Sequence, residues 1–212
     1  MESLQNTLTP SPLDYKIVIV ADNCNLETED YIQSLPKDII KVSTRESVGP
    51  GKARNLGMLA AGEADYYYHS DCDMYFLPGW LDTLYRAYNT FPELGIVGGR
   101  KHPHHGVSDI WEKNGIKVLI SDQQVGMSLF FSKEVWGKIG SFKDNGSSPH
   151  TMGQEDTAFC SMVQDLGYKV GSVDPAVVLH CGIKNTFNMD TAGYEDELKQ
   201  NFPEGVKYGI YE

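Results

Sequence analysis

Two kinds of apolar spacing alternate along the first half of this chain. Lys16-Ile17-Val18-Ile19-Val20-Ala21 is an unbroken β-branched run, of the type buried on both faces of a parallel sheet, and Asp22-Asn23 ends it. Before it, Glu2 to Leu8 has room for one or two helical turns that Pro10 and Pro12 stop. After it, Glu29 to Leu35 reads as a short helix closed by Pro36, and Asp38 to Ser43 as a second strand. Gly49-Pro50-Gly51 is a tight loop. Lys52 to Ala61 follows as a helix with Ala53, Leu56, Leu59 and Ala60 on its buried side.

The aromatic run Tyr66-Tyr67-Tyr68 predicts a further strand that runs out at His69-Ser70-Asp71-Cys72-Asp73. Pro78-Gly79-Trp80 then leads into a helix over Leu81 to Tyr88, with Leu81, Leu84, Tyr85 and Tyr88 at helical spacing. Short strands are predicted at Gly95 to Gly99, Gly126 to Phe131 and Val177 to Leu179. Helices are predicted at Lys133 to Ile139 and at Glu155 to Leu166, the latter placing Phe159, Met162, Val163 and Leu166 on one face. Two long loops, His102 to Gly115 and Ser141 to Gly153, separate these elements. The tail beyond Asn185 has little periodicity. Strands alternating with helices predict an α/β fold with a mostly parallel, Rossmann-like sheet and helices on both faces.

Composition narrows the class. The 212 residues suit one domain with a full core, and 41% hydrophobic against 22% charged residues is ordinary for a globular protein. A net charge of −11 without any basic run argues against nucleic acid as a partner. Cys24, Cys72, Cys160 and Cys181 stand far apart, which predicts neither a disulfide framework nor a closed zinc site and favours a reducing, cytoplasmic setting. No stretch reaches the roughly 20 apolar residues of a membrane span, and no signal-peptide pattern opens the chain.

The chemistry concentrates at Asp71 and Asp73. Two carboxylates at a predicted strand end lie where α/β sheets bind ligands. They suit a hard divalent cation that carries a diphosphate. Trp80 and Trp136 read as core, Trp111 in its long loop as a possible sugar contact, and His102, His104 and His105 as a solvated segment.

In order along the chain, Val20 to Asn23, the Gly-x-Gly-x-Ala-Arg-Asn segment at Gly49 to Asn55, Asp71-Cys72-Asp73, Pro78 to Leu81, Ser128 to Glu134, Gly140-Ser141-Phe142, Gly153 to Asp156, Gly167-Tyr168 and Leu179-His180 resemble the nucleotide-sugar glycosyltransferases of family 2, of GT-A fold. The resemblance spans Lys16 to about Gly182, within a single domain of 1–212 whose tail is 183–212. It implies a metal-dependent hexosyltransferase that moves a sugar from a nucleoside diphosphate donor, UDP-linked, to an acceptor hydroxyl with inversion. The acceptor (glycan, lipid or protein) is not named by any residue. A retaining transferase of the same fold and a non-catalytic nucleotide-sugar or glycan-binding module are the alternatives.

By the same resemblance, Asp22 accepts from the nucleotide base, Arg54 contacts the nucleotide, and Asp71 meets the ribose or a metal-bound water. Asp73 ligates Mn²⁺ (or Mg²⁺), with His180 completing the metal site. Asp156 is the implied catalytic base, and Glu155 beside it the residue that holds the acceptor. A carboxylate in the first turn of a helix is favoured in its ionised form, which a base requires. The chain departs from the family at its start, where a further strand normally precedes Lys16. A truncated sequence, a minimal enzyme, or replacement by Gly205 to Tyr211 are the three explanations.

Overall fold

In a computed structural model of the protein, the described residues are 1–8, 13–101, 105–122, 128–143 and 155–180. The segment Gly205 to Tyr211, His102 and His104 lie outside them.

Helix α1 (Glu2–Leu8) precedes β1 (Val18–Asp22), α2 (Leu26–Ser34) and β2 (Ile40–Thr44). β1 and β2 pair in parallel from Val18 opposite Ile40 to Asp22 opposite Thr44. Asn25 caps α2 through its side chain, which accepts from Thr28 N–H at 2.9 Å. Lys41 closes the other end by donating to Gln33 O and Leu35 O at 3.1 and 2.6 Å. Helix α3 (Pro50–Ala61) starts with Pro at its first position, after Gly49 at φ 85°.

β3 (Tyr66–Ser70) and β4 (Met74–Phe76) flank the Asp71-Cys72-Asp73 turn. There follow α4 (Trp80–Thr90), β5 (Leu94–Gly98), β6 (Asp109–Lys113), β7 (Ile116–Ser121), β8 (Ser128–Ser132), α5 (Lys133–Ile139), α6 (Glu155–Asp165), β9 (Lys169–Asp174) and β10 (Val178–His180). Six strands form the main sheet, in the order β3-β8-β5-β9-β7-β6. The α/β character and the helices on both faces match the sequence expectation. The strand directions do not: among described residues, five strand pairings are antiparallel and only β1–β2 and β5–β9 are parallel. Antiparallel β8, inserted between β3 and β5, breaks the parallel run.

The pleat divides the core in two. Tyr66, Tyr68 and Phe130 point to one face, against Trp80 and Leu84 of α4. Tyr67, Leu129 and Phe131 point to the other, against Val135 of α5 and Phe159 and Val163 of α6. α4 buries Trp80, Leu84 and Ala87, which lie four and three residues apart on one stripe.

Three corrections concern what sequence spacing suggested. The buried residues of α3 are Gly51 and Arg54, while Leu59 is 80% exposed. The helix turns its arginine inward because two carboxylates await it there. The loop expected over His102 to Gly115 instead contains β6, and Asn114 and Gly115, both at positive φ (56° and 72°), turn it tightly into β7. Trp111 lies on this hairpin, its ring 5.7 Å from that of Phe91 and its Nε1–H donating to Asp109 at 2.9 Å. It is a packing residue on the sheet edge opposite β3, not a loop residue near the carboxylates.

Candidate active site

Asp71 and Asp73 stand on the turn beyond β3, and separate structural elements claim each of them. On one side, α3 brings Arg54 up from beneath. Arg54 Nη2–H donates to Asp71 Oδ1 at 3.0 Å, and Nη1 lies 2.6 Å from Glu155 Oε1. The second contact is a close ion pair that lacks hydrogen-bond alignment, so Nη1 has no hydrogen-bonded acceptor. Arg54 is 9% exposed and Glu155 6%. The Arg54 Cζ also sits 5.7 Å from the centre of the Phe142 ring. A charge group so buried holds together only because its members neutralise one another.

On the other side, β4 and β10 form a short antiparallel ribbon in which Met74 pairs with His180. That register sets His180 beside Asp73, with Nε2 to Oδ2 at 3.0 Å. Val177 N–H, donating to Gly99 O at 2.8 Å, ties the ribbon to the end of β5.

These settings move the carboxyl groups in opposite directions. Desolvation raises Asp71, and neighbouring Asp73 adds to it, against the opposing pull of Arg54. The hydrogen bond to His180 draws Asp73 below the usual carboxylate range, against a smaller contribution from desolvation. Between them, desolvation and both carboxylates push the Cys72 thiol up, which makes it a poor nucleophile. His69, whose ring lies 5.4 Å from Phe142, is held well below an ordinary imidazole by burial and by the Arg54 charge.

Asp22 stands at the end of β1, where four protein donors meet its two oxygens. Thr44 Oγ–H and Val48 N–H donate to Oδ1 at 2.7 and 2.8 Å, and Ser47 Oγ–H and Gly49 N–H to Oδ2, both at 3.1 Å. Desolvation opposes ionisation here, yet these donors together pull the carboxyl below its ordinary value. The observed work of Asp22 is therefore to fold the loop that starts α3.

The structure thus gathers Arg54, Asp71, Glu155, Asp73 and His180 about one turn. Within the protein, Glu155 is buried against Arg54, Arg54 also pairs with Asp71, and Asp22 accepts the four hydrogen bonds described above. Asp156, in the first turn of α6, is half-buried, and its Oδ1 accepts from Thr157 N–H at 2.7 Å. Asn55, next to Arg54, bonds both main-chain groups of Phe142, and an Asn inside a helix, being a weak helix former, hints at such a task. Among described residues, no group of three or more His, Cys, Asp and Glu side chains is gathered closely enough to hold a metal unaided. Asp73 and His180 form a pair, and Asp71 turns to Arg54.

Residues 1–165 match the profile of glycosyl transferase family 2. The chain belongs to that family. No curated protein sequence matches it. Among solved structures, it is similar to a mannosyltransferase, PcManGT from Pyrobaculum calidifontis, in complex with GDP-Man and Mn²⁺. That match has 15% identity and a TM-score of 0.65, over 97% of this chain and 59% of the other. It is also similar to GalNAc-T7 with UDP, GalNAc and Mn²⁺, with 15% identity and a TM-score of 0.62, over 84% of this chain and 40% of that one. This chain therefore covers less than two thirds of either relative. At such identity the likeness establishes the fold, a GT-A-like α/β domain. Among described residues, no helix is long and apolar enough to cross a membrane.

Proposed function

We propose that this family 2 glycosyltransferase moves a sugar from a nucleoside diphosphate donor, UDP-linked, to an acceptor hydroxyl with inversion. The observation that carries this reading is the Asp73–His180 contact of 3.0 Å, two residues from Asp71 at the end of β3. Both similar structures, each with Mn²⁺ and a nucleotide, support it.

The donor chemistry of the pair fits a divalent ion such as Mn²⁺, which accepts mixed carboxylate and imidazole ligands better than Mg²⁺ does. Asp73 and His180 would hold the ion, with Asp71 next in line, and the bound diphosphate would complete its shell. There it would neutralise charge on the departing diphosphate.

The remaining work falls to the chain. Asp22 shapes the Ser47 to Gly49 loop at the mouth of β1, where the nucleotide lies. Arg54 keeps Asp71 oriented while balancing its charge. The acceptor oxygen attacks the anomeric carbon as the bond to the diphosphate oxygen breaks, and the hydroxyl proton passes to Asp156. Glu155 is held in its ion pair with Arg54, and the base role at that helix end is assigned to Asp156.

Calorimetric titration of UDP and of GDP, with and without Mn²⁺, tests the reading. Manganese-dependent binding of UDP that Asp73→Ala abolishes is the expected result. Binding of neither nucleotide would sink it, and binding of GDP alone would overturn the donor assignment.

A further inference from the structure

Consecutive residues of α3 grip Phe142, which packs on α6, and the first residue of α6 itself. Asn55 holds the first: its Nδ2–H donates to Phe142 O at 2.9 Å, and its Oδ1 accepts from Phe142 N–H at 2.8 Å. Arg54 holds the second through Glu155, the opening residue of α6. Phe142 is itself fixed, its ring stacked on Phe159 of α6 with centroids 4.4 Å apart and planes 23° from parallel. The amide of Asn55 thus behaves like a strand neighbour, satisfying both main-chain groups of a residue buried in the core.

The two grips differ in reach. Arg54 touches Asp71 as well as Glu155, so it joins the Asp71 side of the turn to the helix that carries Asp156. Among the described residues, the side-chain hydrogen bonds of Asn55 go to Phe142 alone. We propose that Arg54 and Asn55 are paired positioning residues, which fix the α6 N-terminus, and with it Asp156, relative to Asp71-Cys72-Asp73. The proposal rests on the proposed role of Asp156 for its catalytic consequence, though not for the anchoring itself.

The partition can be read in Asn55→Ala, Asn55→Asp and Arg54→Lys. Three measurements are needed: Mn²⁺-dependent affinity for UDP, UDP release from UDP-hexoses with water as acceptor, and hydrogen exchange at the amides of residues 155–160. In Asn55→Ala the UDP affinity stays within about twofold while kcat falls roughly 10²-fold, the scale of a small misplacement of a reacting group. Exchange at 155–160 quickens while β5 and β8 keep their protection. Asn55→Asp, which retains the bond from Phe142 N–H, falls between wild type and Ala. Arg54→Lys lowers affinity and kcat together, because it loosens both sides.

A merely structural role would instead speed exchange throughout the core and lower kcat only in proportion to the folded fraction. That result, or an Asn55→Ala enzyme with unchanged kcat, overturns the proposal. So does a loss of UDP affinity in Asn55→Ala as large as its loss of kcat. Should the wild-type protein bind no nucleotide and release none, the transferase reading fails on its own. The anchor is then judged by exchange alone, and unchanged protection of 155–160 in Asn55→Ala refutes it.

Discussion

Asp71 and Asp73 are separated by one residue and their side chains are equally exposed, at 41%, yet they stand in opposite surroundings. Asp71 faces a permanent cation locked between two carboxylates in the interior. Asp73 faces an imidazole that is itself 23% exposed, at the end of the β4–β10 ribbon. The Arg54 cluster cannot be opened without stranding a charge, so it serves as fixed scaffold. The contact between Asp73 and His180 can be surrendered to an incoming cation at little cost, because imidazole need carry no charge to serve as a ligand. A turn of three residues thus joins a rigid half to an exchangeable half.

The sharpest way to break this comparison is to remove the exchangeable carboxylate. Asp73→Ala is expected to lower Mn²⁺-dependent transfer on the order of 10³-fold, the scale for losing a principal stabiliser of developing charge. Its urea unfolding midpoint should stay near wild type, since the residue is half exposed. A large stability loss with activity retained would reverse the assignment of the two halves.

Arg54→Met attacks the rigid half and is expected to act mainly on stability. It leaves Glu155 buried without its counter-charge, at a cost of about 3 kcal/mol by equilibrium urea unfolding. Replacing both partners, as in Arg54→Met with Glu155→Met, should recover most of that loss, because an apolar pair of similar volume needs no neutralisation. If the double variant is no more stable than the single one, the buried charge is not the cause.

His180→Ala probes the exchangeable half more gently. Loss of one neutral ligand is expected to weaken Mn²⁺ binding roughly 10- to 100-fold, by analogy with changes around metal sites, with Asp73 still able to bind. Manganese titration followed by electron paramagnetic resonance would measure it. No change in affinity would remove His180 from the metal site.

Much of this arrangement was legible in the sequence, for identifiable reasons. Among the described residues, each helix lies within a few residues of where the sequence predicts it, since α4 and α6 carry their apolar stripes openly and Pro50 and Gly140 mark ends. The strands of the main sheet were less visible. The apolar pattern marks neither β7 nor β9 and reads the β6 segment as loop, although Asn114-Gly115 between alternating residues is a strong hairpin signal. Strand direction was misjudged because apolar runs report burial and say nothing of the neighbour's orientation. At the site, the fold brings His180 to Asp73, two residues from Asp71. Their allegiances were not readable, because Arg54 and Glu155 lie far apart in sequence and only the fold reveals that each neutralises the other.

Asp22 offers a smaller effect with a distinctive pH signature. Asp22→Asn exchanges an ionised acceptor of four hydrogen bonds for a neutral amide, at a cost of about 1.5 kcal/mol near neutral pH. The folded carboxyl lies below its unfolded value, which is about 3.9. The unfolded state therefore binds the proton first as pH falls. The stabilising contribution is complete above about pH 4 and disappears as pH drops through the lower folded value. Urea midpoints of wild type and variant should differ by a constant amount from pH 5 to 8 and converge below pH 4. A difference that persists in acid would mean that shape, rather than charge, accounts for the loss.

The smallest effect belongs to an ion pair almost as short as the shortest at the site. Lys138 Nζ lies 2.7 Å from Glu134 Oε1, against 2.6 Å between Arg54 and Glu155, and it also donates to Tyr168 OH at 2.9 Å. Its side chain is 45% exposed and that of Glu134 68%. Water and salt screen such a pair, and ordering two long side chains opposes whatever attraction remains. Lys138→Ala should therefore leave the urea midpoint unchanged within error, at low salt and at high salt alike. Were it to destabilise the protein as much as Arg54→Met, distance alone would set the strength of these pairs. The contrast drawn between the two halves of the site would then lose its physical basis, because that contrast depends on burial.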